Sequence, residues 1–564
     1  MQNTDKIHIQ HLAEICVQKG MENIVLSPGS RCAPLVIAFN RHKDIKCYTI
    51  VDERSAAFFA LGLAQQSEKP VGLVCTSGSA VLNYAPAVAE AFYQKIPLVL
   101  LTADRPNEWI DQGENQSIQQ FEVFKNYIKK SYQLPVNITE KEDIWYSNRV
   151  VSEALNTTKF PDLGPVHINI PLREPLYNLI EETNIKPKIV QTKKSIVTLS
   201  SSEINSLKQT WKKASKKLII IGGIKQKNIE IENALSLFSN NKDTVILTES
   251  ISNIENKDAF SQIDPLIEII EKNNLENFNP EIILTFGNGI ISKKLKFWLR
   301  NKNVSEHWHI SKSNEHWDNF QALTKVLNTD VSTILNELSV ECNTNYNYFD
   351  LWNNLNNRVK DFSKEYVLKS KFADFKVFKN LKNSFPKNSN IHFGNSTPVR
   401  YANLLDLDKK LTINANRGVS GIDGQISTAL GASNINNKLT ICITGDLAMM
   451  YDSNAFWNNY LHPNFKVILI NNNGGNIFRI IPGPSKLEEL ETFFETKNTY
   501  EAKHLAKLHK LKYFKVEKEK NLAKTLKNFY EENKKPALLE IKTDGKLSAK
   551  ILQNYFKELI TIWN

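Results

Sequence analysis

The sequence predicts an α/β fold made of three doubly wound parallel-sheet domains. In residues 1–180 a short apolar strand repeatedly ends in small or polar residues and is followed by an apolar helix. A second run of such strands begins near residue 218, and a third begins near residue 390. Alternating strands and helices are typical of parallel sheets covered by helices. We therefore predict domains at 1–180, 200–330 and 350–564, separated by two polar segments without periodicity.

The composition is that of an ordinary globular protein. The chain of 564 residues is too long for one core, and it is 41% hydrophobic and 23% charged. The net charge of +11 could indicate a nucleic acid or acidic substrates as partners. The lysines are scattered rather than gathered into a basic stripe with aromatic residues, so we expect no nucleic-acid partner. We also expect no membrane partner, because there is neither an apolar signal core nor a run of membrane-spanning length.

The cysteines indicate a reducing compartment. None of them has CxxC spacing, and several lie in apolar runs. Such residues are typical of reduced core thiols, so we expect a cytoplasmic protein. The six are Cys16, Cys32, Cys47, Cys75, Cys342 and Cys442.

In the first domain, polar residues follow four predicted strands. They stand at residues 27–31, 52–54, 76–79 and 103–106. The carboxyl ends of parallel strands meet at one edge of a sheet, where α/β proteins bind ligands. We therefore expect these four segments to contribute to one site.

The middle domain has two weaker signals. Gly287-Asn288-Gly289 follows a predicted strand, as in a dinucleotide-binding loop, but the third glycine is missing and we do not predict NAD or FAD. His307 and His309 flank Trp308, and packing in an edge strand is a better interpretation than metal binding.

The third domain contains the strongest motif. An apolar run ends at Gly445-Asp446, a helical pattern continues to about residue 461, and a second apolar run ends in the segment 471–475, Asn-Asn-Asn-Gly-Gly. Two short strands around a helix predict a βαβ unit, which brings Asp446 and Asn473 to one sheet edge. A carboxylate, an amide oxygen and a backbone carbonyl suit Mg²⁺ that also binds a diphosphate. The alternative is an ordinary βαβ unit with an Asn-rich loop.

This motif resembles the diphosphate-binding signature of thiamine-diphosphate (ThDP) enzymes. Further segments resemble one ThDP family, the 2-succinyl-5-enolpyruvyl-6-hydroxy-3-cyclohexene-1-carboxylate synthases of menaquinone biosynthesis. The resemblance covers the first and third domains nearly end to end, whereas the middle domain offers only Lys293-Lys294. The segments are SPGSR (27–31), DERSAAFFALGLA (52–64), TSGSAV (76–81), LLTADRP (100–106), GENQSI (113–118), NSTPVR (395–400), NRGVSGIDG (416–424) and NNNGGNIF (471–478).

The resemblance implies a reaction and its cofactors. Such an enzyme decarboxylates 2-oxoglutarate on ThDP and adds the remaining four-carbon unit to isochorismate in a 1,4 fashion. It uses Mg²⁺, or Mn²⁺ in its place, and it is a homodimer or a dimer of dimers with active sites at the subunit interface.

The resemblance also assigns the site residues. Glu53 would be the catalytic acid, and Asp446, Asn473 and the carbonyl of Gly475 would hold the metal. Ile422 would be the apolar wedge that bends the cofactor. Further cofactor contacts would come from Ser79, Leu447, Ile477 and Phe478. Substrate contacts would come from Ser30, Arg31, Arg105, Gln116, Lys293, Ser396, Arg400 and Arg417.

The residues themselves support two of these roles. Glu53 stands between a strand and an apolar helix, where a water-poor pocket would raise its proton affinity. The alternative is a helix N-terminal acid favoured by the helix dipole. Both substrates are dianions, and guanidinium groups bind carboxylates with two parallel hydrogen bonds. The alternative for any single arginine is a surface salt bridge.

Two other functions stay open at this point. An acetolactate-synthase-like ThDP enzyme would need fewer carboxylate-binding arginines. A ThDP-fold binding protein that has lost activity is disfavoured by the presence of Glu53, Asp446 and Asn473.

Overall fold

The computed structural model describes residues 2–181, 186–193, 195, 197–239, 241–340 and 347–563. In this part of the chain no helix has both the length and the apolar character that crossing a bilayer requires. Five of the cysteines are free thiols, and Cys342 lies outside the described residues.

The first sheet is formed by residues 23–171, with all of its strand pairs parallel and the strand order β3-β2-β4-β5-β7-β6. Its central strands are apolar and fully buried, as expected for strands covered by helices on both faces. Its strands are β2 Asn23–Leu26, β3 Lys46–Thr49, β4 Val71–Cys75, β5 Leu98–Asp104, β6 Ser131–Gln133 and β7 Val166–Pro171. The strands β1 Gln2–Thr4 and β8 Leu179–Glu181 form a separate two-stranded sheet. The helices are α1 Ile7–Gln18, α2 Ala33–Arg41, α3 Glu53–Ser67, α4 Ser79–Leu82, α5 Ala85–Gln94 and α6 Lys141–Thr157.

The second sheet has five parallel strands in the order β10-β9-β11-β12-β13. Its strands are β9 Lys217–Ile221, β10 Thr244–Thr248, β11 Ile282–Phe286, β12 Glu306–Ile310 and β13 Leu323–Leu327. Its helices are α7 Ser201–Lys213, α8 Ile229–Ser236, α9 Ile263–Lys272, α10 Lys293–Arg300 and α11 Val331–Ser339.

The third sheet has the order β15-β14-β16-β17-β19-β18, and β15 pairs in parallel with β14, as β19 does with β17 and β18. Its strands are β14 Asn390–Phe393, β15 Thr412–Asn414, β16 Thr440–Gly445, β17 Phe465–Asn471, β18 Lys512–Val516 and β19 Ala537–Lys542. The helices of this region are α12 Tyr348–Lys369, α13 Asp374–Ser384, α14 Thr397–Ala402, α15 Gln425–Ser433, α16 Asp446–Tyr451, α17 Ile477–Ile480, α18 Ala502–Leu508, α19 Glu519–Glu531 and α20 Gly545–Leu559. The predicted α/β class with three parallel sheets is confirmed.

Three predicted elements were wrong in detail. The helix expected to continue to about residue 461 ends at Tyr451, because the next residue, Asp452, turns back to cap another helix. The segment expected to be an unstructured linker contains β8, which pairs antiparallel with β1. Strand β12 is not an edge strand, since it lies between β11 and β13, and its His307 and His309 are buried against the Thr285 hydroxyl.

The chain forms two compact units. The first comprises Met1–Lys194, Asn416–Thr440 and Ala448–Phe465, and the second comprises Ser195–Ala415, Ile441–Leu447 and Lys466–Asn564. The first unit therefore contains α15 together with the first sheet, although α15 lies far along the chain.

Helix α15 crosses α3 at very close range. A Cβ atom at Gly62 of α3 would lie 2.0 Å from the carbonyl oxygen of Thr428, and one at Gly431 of α15 would lie 2.0 Å from that of Phe59. Only residues without a side chain allow two helix backbones to approach so closely. The two glycines thereby position the loop that precedes α15 beside the helix that begins at Glu53.

Candidate active site

Glu53 is the first residue of α3, directly after the residue that caps this helix. The Asp52 carboxylate accepts hydrogen bonds from the backbone N–H groups of Arg54 at 2.9 Å and Ser55 at 3.1 Å. Asp52 therefore caps the helix, and Glu53 is an acid of its first turn, where the helix dipole favours negative charge as the alternative interpretation expects. Burial, and secondarily the charge of Asp52, raise the pKa of Glu53. A raised pKa makes this carboxyl group a better proton acceptor than an exposed glutamate.

Arg31 and Arg105 lie near each other in the first unit. Arg31 is 7% exposed, and its guanidinium donates to the Leu172 carbonyl at 3.0 Å and to the Glu174 carboxylate at 3.3 Å. Burial, and then the charge of Arg105, lower the pKa of Arg31. Arg105 donates through Nε to the Asn115 carbonyl at 2.8 Å. Two adjacent guanidinium groups create a positive region that suits a dicarboxylate.

Of the other predicted residues of the first sheet, Ser30 and Gln116 lie in loops and Ser79 begins α4. Ser30 and Ser79 are exposed. Gln116 is also exposed and has a left-handed backbone with φ of 53°. A Cβ atom at Gly78 would lie 3.1 Å from the Cα of Gln116, so the loops after β4 and β5 are in contact. Gln120 ties them together, because its amide oxygen accepts a hydrogen bond from the Gly78 N–H at 3.0 Å.

The loop that carries Arg417 and Ile422 belongs to the same unit and is held by Glu90. This α5 side chain is 2% exposed. Its carboxylate accepts hydrogen bonds from the backbone N–H groups of Gly418 at 2.6 Å, Val419 at 2.7 Å and Ser420 at 3.3 Å. The Ile422 side chain is 37% exposed, so it is not a core residue.

The second unit contains the predicted metal motif. Asp446 follows β16 and is 5% exposed, and its Oδ2 accepts a hydrogen bond from the Gly474 N–H at 2.7 Å. Its Oδ1 accepts from the Leu447 N–H at 2.9 Å. Burial raises the pKa of Asp446, whereas these N–H donors lower it. Asn473 follows β17, is exposed, and has a left-handed backbone with φ of 66°.

The oxygen atoms of this motif suit a hard divalent cation as ligands. A buried carboxylate is hydrogen-bonded to the backbone beside an amide side chain, at the ends of two neighbouring strands. Oxygen donors of this kind suit Mg²⁺, which keeps phosphate oxygens among its ligands. The Gly475 carbonyl accepts a hydrogen bond from the Phe478 N–H at 3.1 Å and has a second lone pair for a metal.

The remaining predicted cofactor contacts are on α17. Ile477 and Phe478 are half-buried, and the Phe478 ring packs against Phe494 at a centroid distance of 5.5 Å. Arg479 anchors this helix through an ion pair with Glu495.

Ser396 and Arg400 are brought together by α14. Ser396 precedes this helix with φ of 73° and ψ of −121°, a conformation that costs a non-glycine residue about 1–3 kcal/mol. Arg400 lies within this helix. Its Nε is buried without a hydrogen-bond partner among the described residues, and burial lowers the pKa of its guanidinium.

Lys293 approaches the same region from the middle sheet. It is an exposed residue at the start of α10, and its neighbour Ser292 donates a hydrogen bond to Asp264, whose charge acts on Arg400. The buried Glu249 accepts the backbone N–H groups of Ile291 and Ser292, each at 2.6 Å, and thereby holds the start of this helix.

The chain is similar to known proteins over most of its length. Three family models match: "Thiamine pyrophosphate enzyme, N-terminal TPP binding domain" at residues 9–123, "Middle domain of thiamine pyrophosphate" at 187–393, and "Thiamine pyrophosphate enzyme, C-terminal TPP binding domain" at 394–541. The similar curated proteins are named 2-succinyl-5-enolpyruvyl-6-hydroxy-3-cyclohexene-1-carboxylate synthase. The protein of Christiangramia forsetii is 42% identical, over 96% of this chain and 97% of its own length. The protein of Flavobacterium johnsoniae is 41% identical, over 98% of both chains. That of Bacteroides thetaiotaomicron is 34% identical, over 99% of both chains.

The chain belongs to this synthase family of thiamine-pyrophosphate enzymes. The resemblance inferred from the motifs is therefore confirmed, and it extends through the middle region, where the motifs were sparse. Within this synthase the first unit contains Ser30, Arg31, Glu53, Ser79, Arg105, Gln116, Arg417 and Ile422. The second unit contains Lys293, Ser396, Arg400, Asp446, Leu447, Asn473, Gly475, Ile477 and Phe478.

Sequence reasoning missed several residues that support the site. Three buried carboxylates accept hydrogen bonds from backbone N–H groups of loops or of the first residues of helices. They are Glu90, Glu249 and Asp452. Asn498 donates to Asp446 at 3.2 Å. The only signal in the sequence was an acid within an apolar segment, as at Glu90 in AVAEAF.

Proposed function

We propose that the protein is a ThDP- and Mg²⁺-dependent transferase of menaquinone biosynthesis. It decarboxylates 2-oxoglutarate and adds the remaining four-carbon unit to isochorismate in a 1,4 fashion, giving 2-succinyl-5-enolpyruvyl-6-hydroxy-3-cyclohexene-1-carboxylate and CO₂. The observation that carries this proposal is the similarity over nearly the full length to synthases of that name.

The cofactor and its metal would be held by Glu53, Asp446 and the residues beside them. Bound ThDP supplies the electron sink that loss of CO₂ requires. Asp446, Asn473 and the Gly475 carbonyl would bind Mg²⁺, or Mn²⁺ in its place, and the metal would hold the diphosphate. Glu53 would exchange a proton with the aminopyrimidine ring, a role supported by its raised pKa. Ile422 would support the bent cofactor, with Ser79, Leu447, Ile477 and Phe478 around it.

The substrates would be held mainly by cationic side chains. Arg31, Arg105, Arg400 and Arg417, with Lys293, would bind their carboxylates, since guanidinium groups pair with carboxylates through two hydrogen bonds. Ser30, Gln116 and Ser396 would donate hydrogen bonds. Buried guanidinium groups with few local partners, as at Arg400, support this role.

The first test is CO₂ release from 2-oxoglutarate with ThDP and Mg²⁺, measured with and without isochorismate. We expect turnover that depends on isochorismate and is lost in Glu53→Gln. The exposed Glu142 on α6 provides a matched control, and Glu142→Gln should retain full activity. Turnover with pyruvate instead of 2-oxoglutarate would contradict the proposal and favour an acetolactate-type enzyme.

The proposed assembly is a homodimer or a dimer of dimers in which each active site is completed by two subunits. Large apolar side chains on the first unit support an interface, since Leu82 is 47% exposed and Tyr93 is 50% exposed. Free thiols at five cysteines support a location in the reducing cytoplasm.

Mixing two inactive variants tests the shared site. If Glu53 works with Asp446 of the partner subunit, a dimer of Glu53→Gln and Asp446→Asn chains has one intact site. Random mixing should then restore roughly a quarter of the wild-type activity, because about half of the dimers are mixed and each has one intact site of two. Activity that stays at the level of the separate variants would show that each site lies within one chain.

A further inference from the structure

A cleft lined by lysines lies at α12 and α13, and none of the residues given a role above lines it. We call it the lysine cleft. Its volume is about 530 Å³, which is in the range of small-molecule sites. Lys360 and Lys364 line it from α12, and Lys376, Lys379 and Lys382 line it from α13.

The helix geometry turns these lysines toward one space. On α12 the two lysines are four residues apart, and on α13 successive lysines are three residues apart, so each set lies on one side of its helix. Like charges at these spacings repel and destabilise a helix. Helix formation therefore gives no reason for this arrangement.

The cleft has too few acids to balance its lysines. Asp406 pairs with Lys360 at 3.2 Å, and Glu519 pairs with Lys376 at 3.0 Å. Lys364, Lys379 and Lys382 form no hydrogen bond or ion pair with any residue that the structure describes. These three are left as an excess of positive charge.

Burial makes the charges of Lys379 and Lys382 costly. Burial, and then the charge of Lys382, lower the pKa of Lys379 to about 8. Burial also lowers the pKa of Lys382, with a further contribution from Lys360, while Asp406 opposes both shifts. An anion in the cleft would pair with these ammonium groups and stabilise their charged forms.

We propose that the lysine cleft binds a small phosphorylated metabolite, with a phosphoryl group and at least one further anionic group. Lysines act as compact point charges and are common phosphate ligands, whereas carboxylates are more often recognised by the planar fork of arginine. Asn380 and Asn383 offer neutral hydrogen-bond donors, and Val367 and Leu368 offer apolar surface for a carbon skeleton.

Calorimetric titration of the holoenzyme, with ThDP and Mg²⁺ in excess, tests this site. The probe is 3-phosphoglycerate, and the variant is Lys379→Gln/Lys382→Gln. The control is Lys371→Gln/Lys387→Gln, which removes two exposed lysines that flank α13 and do not line the cleft. We expect the cleft variant to bind the probe about tenfold more weakly or worse, since a charged hydrogen bond is worth about 1.5–3 kcal/mol. The control should bind as the wild type does.

Three further probes define the ligand class. Glycerate should bind much more weakly than 3-phosphoglycerate, because it lacks the phosphoryl group. Equal binding of tricarballylate would overturn the phosphate assignment in favour of carboxylates, and equal binding of inorganic phosphate would overturn the need for a second anionic group. Equal affinity of the wild type and the cleft variant, or no binding of 3-phosphoglycerate, would overturn the site itself.

Thermal unfolding without ligand separates this site from a structural role. The cleft variant should unfold at the wild-type temperature or above it, because the substitutions remove like-charge repulsion. A clearly lower unfolding temperature would show that the lysines stabilise the fold, and would contradict the proposal.

Discussion

The carboxylate of Asp446 accepts a hydrogen bond from the backbone N–H of Gly474 at 2.7 Å. This bond joins the ends of β16 and β17, which are neighbours in the third sheet. Because Gly474 follows Asn473 directly, this bond also fixes the position of Asn473 in the chain relative to the Asp446 carboxylate. Such preorganisation lowers the cost of assembling the ligands.

Asp446→Asn should abolish the metal-dependent activity in a protein that still folds, with some loss of stability because its amide NH₂ faces one of two backbone N–H donors. The amide keeps the size of the side chain but removes its charge, so we expect the affinity for ThDP with Mg²⁺ to fall by more than about 100-fold. Cofactor binding can be measured by fluorescence quenching at increasing Mg²⁺. The control is Asp361→Asn, which changes an exposed acid on α12 and should bind the cofactor normally. Normal cofactor affinity in Asp446→Asn would contradict the metal site.

Glu53→Gln should raise the thermal stability of the cofactor-free protein at alkaline pH. The pKa of Glu53 is raised above its ordinary value of 4.5 in the fold, so the folded state binds the proton more tightly than the unfolded state. The folded protein therefore loses stability as the pH rises from 4.5 through the raised pKa of Glu53, because the Glu53 carboxylate must then be charged in a partly buried position. The neutral amide avoids this cost. Unfolding temperatures of both proteins should converge near pH 4 and separate toward about pH 8, and a pH-independent difference would contradict this account.

Glu90→Gln should loosen the loop that carries Arg417 and Ile422. The glutamine amide would place an NH₂ group against backbone N–H donors, which leaves at least one of them without an acceptor. A lost buried hydrogen bond costs about 1–3 kcal/mol. If the loop positions substrate groups, kcat/KM should fall about 10–100-fold as well. The Glu142→Gln control should change neither quantity, and a loss of stability with unchanged kinetics would show a structural role only.

Gly62→Ala should destabilise the first unit despite the better helix propensity of alanine. The added Cβ would lie 2.0 Å from the Thr428 carbonyl oxygen, so α3 and α15 would have to move apart. Overpacking of this kind costs about 1–3 kcal/mol, measured as a lower midpoint of urea unfolding. Gly289→Ala is the matched control, because a Cβ there has no neighbour within 4 Å. Unchanged stability in Gly62→Ala would show that the two helices do not pack this closely.

The features that could be predicted from the sequence are those that depend on residues close together in the chain. Strand and helix periodicity repeats within a few residues, and it correctly predicted the parallel sheets and most of their strands. The placement of Asp446 and Asn473 after two neighbouring strands was also predictable, because these strands are joined by one short crossover. The short strands β6, β13 and β18 were missed, since three to five residues of weak pattern form a strand only when a neighbouring strand pairs with them.

Tertiary structure alone decided how these local pieces support one another. Glu90 contacts residues 418–420, and Asp452 caps α15. Both contacts join segments that are separated in the sequence and are brought together only by the packing of helices. A buried carboxylate and a surface one look alike in a sequence, because burial depends on what packs against them. The lysine cleft could not be predicted for the same reason, because its five lysines come together only when α12 and α13 pack. The sequence by itself thus determined the family and the sheets and named the candidate site residues, and packing decided which charges are buried and therefore which ones are costly.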